Sequence, residues 1–182
     1  ASSTVNDKVL ITELIGVSPN PNKLEMVVDK GHREGVKVGM AVLDSSGLMG
    51  QIIEVNEFNS RVLLVADSNH AVPVQVNRNA VRAIAYGTGQ LDEMELVNVL
   101  DTTDIKIGDL LVSSGLGGRF PKGYPVASVS EIIHDPGRSF SRVLAKPMAK
   151  LNQSRLLLIV LPEEKRPSLK ASDVLIPDSL AP

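Results

Sequence analysis

The stretch Leu43-Asp44-Ser45-Ser46-Gly47-Leu48-Met49-Gly50 returns as Leu111-Val112-Ser113-Ser114-Gly115-Leu116-Gly117-Gly118, with six of eight positions identical. Each copy follows a Lys-aliphatic-Gly step, Val36-Lys37-Val38-Gly39 in one case and Ile105-Lys106-Ile107-Gly108 in the other. Further on, Phe58-Asn59-Ser60-Arg61-Val62-Leu63 is answered by Phe140-Ser141-Arg142-Val143-Leu144 after a one-residue deletion. Three matches in one order identify an internal duplication. Two copies at so long a period predict two related small domains, because a solenoid needs at least about three stacked repeats. Between the second and third matches the register stays ambiguous. Gly47 to Val55 can be laid on Gly115 onward or on Gly123 to Ile132.

Within both copies, short Val-, Ile- and Leu-rich runs alternate with turn residues, as at Val62 to Ala66, Val72 to Val76, Val81 to Tyr86, Met94 to Val99, Val126 to Ile133 and Arg155 to Leu161. Period-two patterning at this spacing predicts an all-β barrel or sandwich. No segment carries a sustained helical stripe. Placing the unit boundary in the Asn77-Arg78-Asn79 turn gives a first unit over 8–79 and a second over 80–161, with strands free to cross between them. Residues 1–7 form a short N-terminal segment. Residues 162–182 hold four prolines and the charge run Glu163-Glu164-Lys165-Arg166, which predicts an extended or disordered tail rather than a strand.

Hydrophobic residues make up 43% of the 182-residue chain, enough for a packed core. A net charge of −2 and only five aromatic residues argue against nucleic acid as a partner, which would call for a basic stripe and stacking platforms. The absence of cysteine removes disulfides, thiol catalysis and thiolate metal sites. No apolar run approaches the roughly 20 residues of a membrane-spanning helix, and Ala1-Ser2-Ser3-Thr4 lacks the layout of a signal peptide, so any anchor is expected upstream of this chain.

A duplicated pair of barrels invites comparison with a trypsin-like serine hydrolase, for which the chain offers His70, Asp67 and the pair Ser113-Ser114. The local detail argues against it. Ser113-Ser114-Gly115 matches neither Gly-Asp-Ser-Gly nor Gly-x-Ser-x-Gly, and the same Ser-Ser-Gly stands in the other copy, whereas a hydrolase needs one nucleophile. The three histidines, His32, His70 and His134, fall in three separate segments without ligand spacing, so neither a metal site nor a cofactor is expected, and exposed or cap-like loop positions are. Gly115, Gly117 and Gly118, like Gly47 and Gly50 in the first copy, read as turn or bulge residues, since no Walker or dinucleotide pattern completes around them. Arg61 and Arg142 occupy matching places and predict a structural role, a strand-edge guanidinium bridging to a carboxylate or to carbonyls.

Phe120-Pro121-Lys122-Gly123-Tyr124-Pro125 places two of the five aromatics in one turn-rich segment. With Leu116 they form a candidate partner-binding patch of Leu116, Phe120 and Tyr124. The competing reading is that Phe120 and Tyr124 plug the end of a barrel.

Several stretches together resemble the bacterial rod shape-determining MreC family. The resemblance is carried by Val27 to Gly31, Gly35 to Met40, Gly47 to Val55, Ser60 to Val65 and Val72 to Asn79, and in the second copy by Ile107 to Gly118 and Phe120 to Ala127. It implies two six-stranded β-barrels reminiscent of trypsin-like proteases without their catalysis. It also implies a membrane helix and a dimerising coiled-coil stalk that this chain lacks, with residues 1–7 as a stalk remnant, and an extracytoplasmic location on the inner membrane. The implied role is a scaffold of the cell-elongation complex. Its implied partners are the class B penicillin-binding transpeptidase, other rod-complex membrane proteins and further copies of itself.

Overall fold

The run Ala71–Val76 shows how these short segments become barrel staves: Val72, Val74 and Val76 are buried while Ala71, Pro73 and Gln75 face outward. Period-two alternation turns every second side chain into a closed interior, which is the condition for a small barrel filled by its own side chains. The computed structural model describes residues 8–161. In chain order the strands are β1 (Lys8–Val17), β2 (Glu25–Val28), β3 (Ala41–Leu43), β4 (Leu48–Val55), β5 (Ser60–Leu64) and β6 (Ala71–Val76). They continue with β7 (Arg82–Gly87), β8 (Met94–Leu100), β9 (Leu110–Ser113), β10 (Pro125–His134), β11 (Phe140–Pro147) and β12 (Leu156–Leu161).

Two closed, six-stranded antiparallel barrels result, one ordered β1-β12-β3-β4-β5-β2 and the other β7-β6-β9-β10-β11-β8. The all-β, double-barrel expectation is met. Followed around each barrel, the orders correspond strand for strand, with β3, β4, β5 and β2 of the first matching β9, β10, β11 and β8 of the second. Hydrogen bonds repeat as well: Gly39 N–H donates to Ile52 O and Gly108 N–H donates to Val129 O, both at 2.8 Å. Gly39 and Gly108 share a left-handed backbone, with φ of 97° and 91°.

The unit boundaries need correction. The strand over 71–76, assigned to the first unit by sequence, is a stave of the second barrel, and 156–161, assigned to the second, closes the first. The physical reason is closure. The chain from 8 to 64 supplies only five strands, so both edges of that sheet would be left unpaired. β12 fills the gap between β1 and β3, pairing Lys8 with Leu161 and Ile159 with Val42. In the second barrel the equivalent stave, β6, comes first. The first barrel is thus a permuted version of the second, tied shut by the C-terminal strand. The expectations for residues 1–7 and 162–182 lie outside the described residues.

The buried residues of both barrels join in one cluster. At the junction, the Asp44 carboxylate accepts from the N–H groups of Ser46 and Gly47 through one oxygen and from Lys150 N–H and Ser154 Oγ through the other. A Cβ on Gly47 would stand 2.6 Å from the carbonyl oxygen of Pro125, so a turn in one barrel seats directly on a strand of the other. Gly50, by contrast, is not a turn residue. It lies within β4, where a Cβ would run into the carbonyl oxygen of Leu63, and close strand approach is what demands glycine there.

Candidate functional site

The two copies differ most between β9 and β10. Ala41 matches Leu110, 69 positions on, whereas Gly50 matches Ala127, 77 positions on, so eight residues have been inserted between the paired strands of the second barrel. The closing bond survives: Asp44 N–H donates to Gly47 O in the first barrel and Ser113 N–H to Tyr124 O in the second. The register left open by sequence is therefore the one that lays Gly47 to Val55 near Gly123 to Ile132. The turn at Ser45-Ser46-Gly47 becomes a long loop over 114–124.

That loop is held by its ends and by its middle. Ser113 Oγ donates to Pro121 O at 2.5 Å and accepts from Tyr124 N–H at 2.9 Å. Gly115, Gly117 and Gly118 all take left-handed φ values, 78°, 76° and 70°, which is the reason three glycines stand so close together. Gly115, expected at a turn, opens a tight turn over Leu116–Gly118 whose backbone is not helical at Gly117.

Phe120 is only 3% exposed and packs edge-on against His70, with ring centroids 5.7 Å apart. It is a core residue, and the expectation of an exposed anchor is corrected. With Pro121 behind it and a sharply turning glycine segment before it, the ring is the one part of the insertion that reaches the interior. Tyr124 is half-buried against the core, and Leu116 is exposed. The three residues do not form one surface patch.

His70 also departs from expectation, being buried where an exposed loop position was predicted. It ends the Ala66–His70 link between the barrels, pinned by its N–H to Asp67 O and by its carbonyl to Gly87 N–H. Neither ring nitrogen has a hydrogen-bond partner among the described residues. Burial pushes the imidazole pKa down to about 4, with Asp67 opposing and Arg119 adding to the shift. The Asp67 carboxylate is occupied elsewhere, accepting from Leu24 N–H and Asn69 N–H at 2.8 Å each. His70, Asp67 and Ser113 form no hydrogen-bonded relay.

The loop closes over the first barrel to leave a groove of about 600 Å³. Its walls are the segment Lys37–Ala41 with Gln51 and Val160 on one side and the loop from Gly115 to Lys122 on the other. Apolar surface predominates on the floor, from Val38, Met40, Val160 and Pro121. No carboxylate lines it, and Lys37, Arg119 and Lys122 do.

Sequence reading passed over a second cluster. Ser141 Oγ donates to Asp101 Oδ1 at 2.6 Å and lies 2.9 Å from His134 Nδ1, which is itself 3.4 Å from Asp101 Oδ1. The Ser141 hydroxyl, ahead of the histidine, holds the Asp101 carboxyl below the usual carboxylate range. The composition is that of a catalytic triad, but the wiring is not, because the hydroxyl proton points at the aspartate rather than at an imidazole acting as base. Ser60, at the matching place in the first barrel, donates in the same way to Lys30 O with no histidine beside it. A buried serine that ties β5 or β11 to the chain after its neighbouring strand accounts for both. The matched arginines behave as predicted, Arg61 facing Glu25 and Glu54 and Arg142 bonding Glu95 at 2.6 Å.

Residues 14–161 match the family described as rod shape-determining protein MreC, barrel core. The cell shape-determining protein MreC of Haemophilus influenzae Rd is 47% identical over 152 residues, covering 84% of this chain and 43% of that protein. The crystal structure of MreC from Pseudomonas aeruginosa superposes with a TM-score of 0.83 at 60% identity, covering 85% of this chain and all of the other. A structure described as a complex between Penicillin-Binding Protein (PBP2) and MreC from Helicobacter pylori shares the fold, with a TM-score of 0.66 at 17% identity, covering 85% of this chain and 98% of the other. The chain spans less than half the length of the Escherichia coli K12 and Haemophilus influenzae Rd relatives, 42% and 43%.

Proposed function

The chain belongs to the rod shape-determining MreC family, and on that premise we propose that it is the extracytoplasmic double barrel of a non-catalytic scaffold that controls cell shape by binding the peptidoglycan transpeptidase and other rod-complex proteins. The observation that carries this reading is the match over nearly the whole described chain to a barrel core whose relatives are cell shape-determining proteins. The Helicobacter pylori complex supports the transpeptidase as the partner class. Two barrels clamped at Gly47 and Asp44 offer a rigid body with preformed surfaces, and rigidity limits the entropy lost on docking. A single-pass anchor in the inner membrane and a dimerising stalk, as the family resemblance implies, are part of the same proposal.

The test is direct binding. Purified chain titrated against the soluble part of a class B penicillin-binding transpeptidase is expected to saturate in the micromolar range, and no binding at about 100 μM, roughly −5.5 kcal/mol, overturns the partner assignment.

The alternative, a serine hydrolase, has one observation in its favour, the Ser141–His134–Asp101 cluster. Ser141 is buried and its proton is committed to Asp101, so general-base activation has no starting geometry. Incubation with a fluorophosphonate is expected to leave every serine unmodified; stoichiometric labelling of Ser141 refutes the non-catalytic reading.

A further inference from the structure

We infer that the groove between the Lys37–Ala41 segment and the loop over 115–122 receives an extended, acidic-and-apolar peptide segment of a partner protein. The charge pattern carries the inference. The chain holds 21 acidic and 19 basic residues, yet the groove is lined by three cations and no anion. Lys37, Arg119 and Lys122 are exposed, and none has an ion-pair partner among the described residues. Elsewhere Arg61, Arg78 and Arg142 sit in ion pairs, while Arg82 and Arg155, which lie outside the groove, have none among the described residues. Three unmatched cations around an apolar floor make a surface complementary to carboxylates flanking an aliphatic side chain.

The shape favours a peptide. A volume of about 600 Å³ takes a few side chains, and the lip is formed in part by Gly39, Gly115 and Gly118, which leave main chain reachable by another main chain. The Gly115-to-Lys122 wall is the insertion peculiar to the second barrel. Phe120 holds that wall from beneath, so the groove is present before any partner arrives. The inference rests on the scaffold reading only for the source of the segment.

The experiment uses a fluorescein-labelled dodecapeptide alternating Glu with Leu or Val, followed by anisotropy against the full chain. Saturable binding that weakens at least roughly tenfold in Lys37→Glu/Arg119→Glu/Lys122→Glu, with the melting temperature of that variant unchanged, supports the groove. A peptide with Gln in place of Glu is expected not to bind. Equal binding to parent and variant, or no binding to the parent, overturns it. So does charge-reversal-sensitive binding seen with phosphatidylglycerol vesicles but not with the peptide, which assigns the cations to a lipid surface. Where the triple variant misfolds, Lys37→Gln with Lys122→Gln replaces it under the same criteria. Transpeptidase binding by the parent chain scores the scaffold reading separately, so either proposal can fail while the other stands.

Discussion

Replacing His70 by Leu isolates the energetics of one buried imidazole. The ring is 3% exposed, has no partner for either nitrogen among the described residues, and has its pKa pushed down to about 4. An unfolded histidine takes up its proton near pH 6.5. Because the folded value is the lower one, the contribution is fully present above about pH 6.5 and is lost as pH falls toward 4, where the unfolded chain binds the proton and the native chain resists it. A tenfold difference in proton affinity is worth about 1.4 kcal/mol, so the native state forfeits about 2 kcal/mol by pH 5 and about 3 kcal/mol by pH 4 relative to pH 8. Leu fills a similar volume and brings no proton site. Urea unfolding at pH 8, 6, 5 and 4 is expected to give parent and His70→Leu curves that start within about 1–2 kcal/mol, Leu equal or higher because no polar atom is left unsatisfied. They diverge below pH 6 as the parent falls faster. Carboxylate titration affects both proteins alike and cancels in the difference. Profiles that stay parallel from pH 8 to pH 4 refute the account of a dry, unpaired imidazole.

Phe120→Ala is expected to destabilise by about 3–5 kcal/mol, read as a matching loss in urea unfolding, and any loss of partner binding in that variant is then unfolding rather than a removed anchor; a cost under about 1 kcal/mol returns the ring to the surface. Gly50→Ala is expected to prevent accumulation of folded protein, because the new Cβ meets backbone at Leu63, while Gly117→Ala costs only about 1 kcal/mol for its left-handed φ, since nothing stands within 4 Å. Circular dichroism on the two purified variants separates steric exclusion from backbone preference. Arg78 forks onto Asp104 and Asp109, and its hydrogen bond is the leading cause holding the Asp109 carboxyl below the ordinary range. That depressed value contributes stability above about pH 4 and loses it as pH falls further, so Arg78→Gln is expected to move the acid-unfolding midpoint upward, and an unmoved midpoint discounts the pair.

The duplication was legible where matches fall on repeated geometry, at the left-handed glycines Gly39 and Gly108, the buried serines Ser60 and Ser141 and the arginines beside them. The longest match, Leu43 to Gly50 on Leu111 to Gly118, does not, since Gly47 is equivalent to Tyr124 and Gly50 to Ala127. A further match was present and unread. Leu24-Glu25-Met26-Val27 answers Met94-Glu95-Leu96-Val97, and Glu25 and Glu95 are the carboxylates that Arg61 and Arg142 face. The permutation left no such trace. Leu156–Leu161 is an apolar run like its neighbours, and nothing local distinguishes a strand that pairs with β11 from one that travels back to close the barrel begun at Lys8. Strand identity here is decided by which sheet lacks a sixth stave, a property of the whole chain.

The inserted loop marks the other limit, and for a different reason. Positions present in both copies are constrained twice, by their own barrel and by the inherited geometry of the other, so one copy informs the other. Residues near 115–122 have no counterpart, and Phe120 could be placed only by what the first barrel and the interbarrel link leave open beneath it, namely the face of His70. An insertion that keeps the closing bond from Ser113 to Tyr124 leaves the barrel's hydrogen bonding intact while freeing the loop to take on new contacts. The groove, with its unmatched cations, therefore lies where the second barrel departs from the first, because that is the part of the chain the shared architecture does not specify.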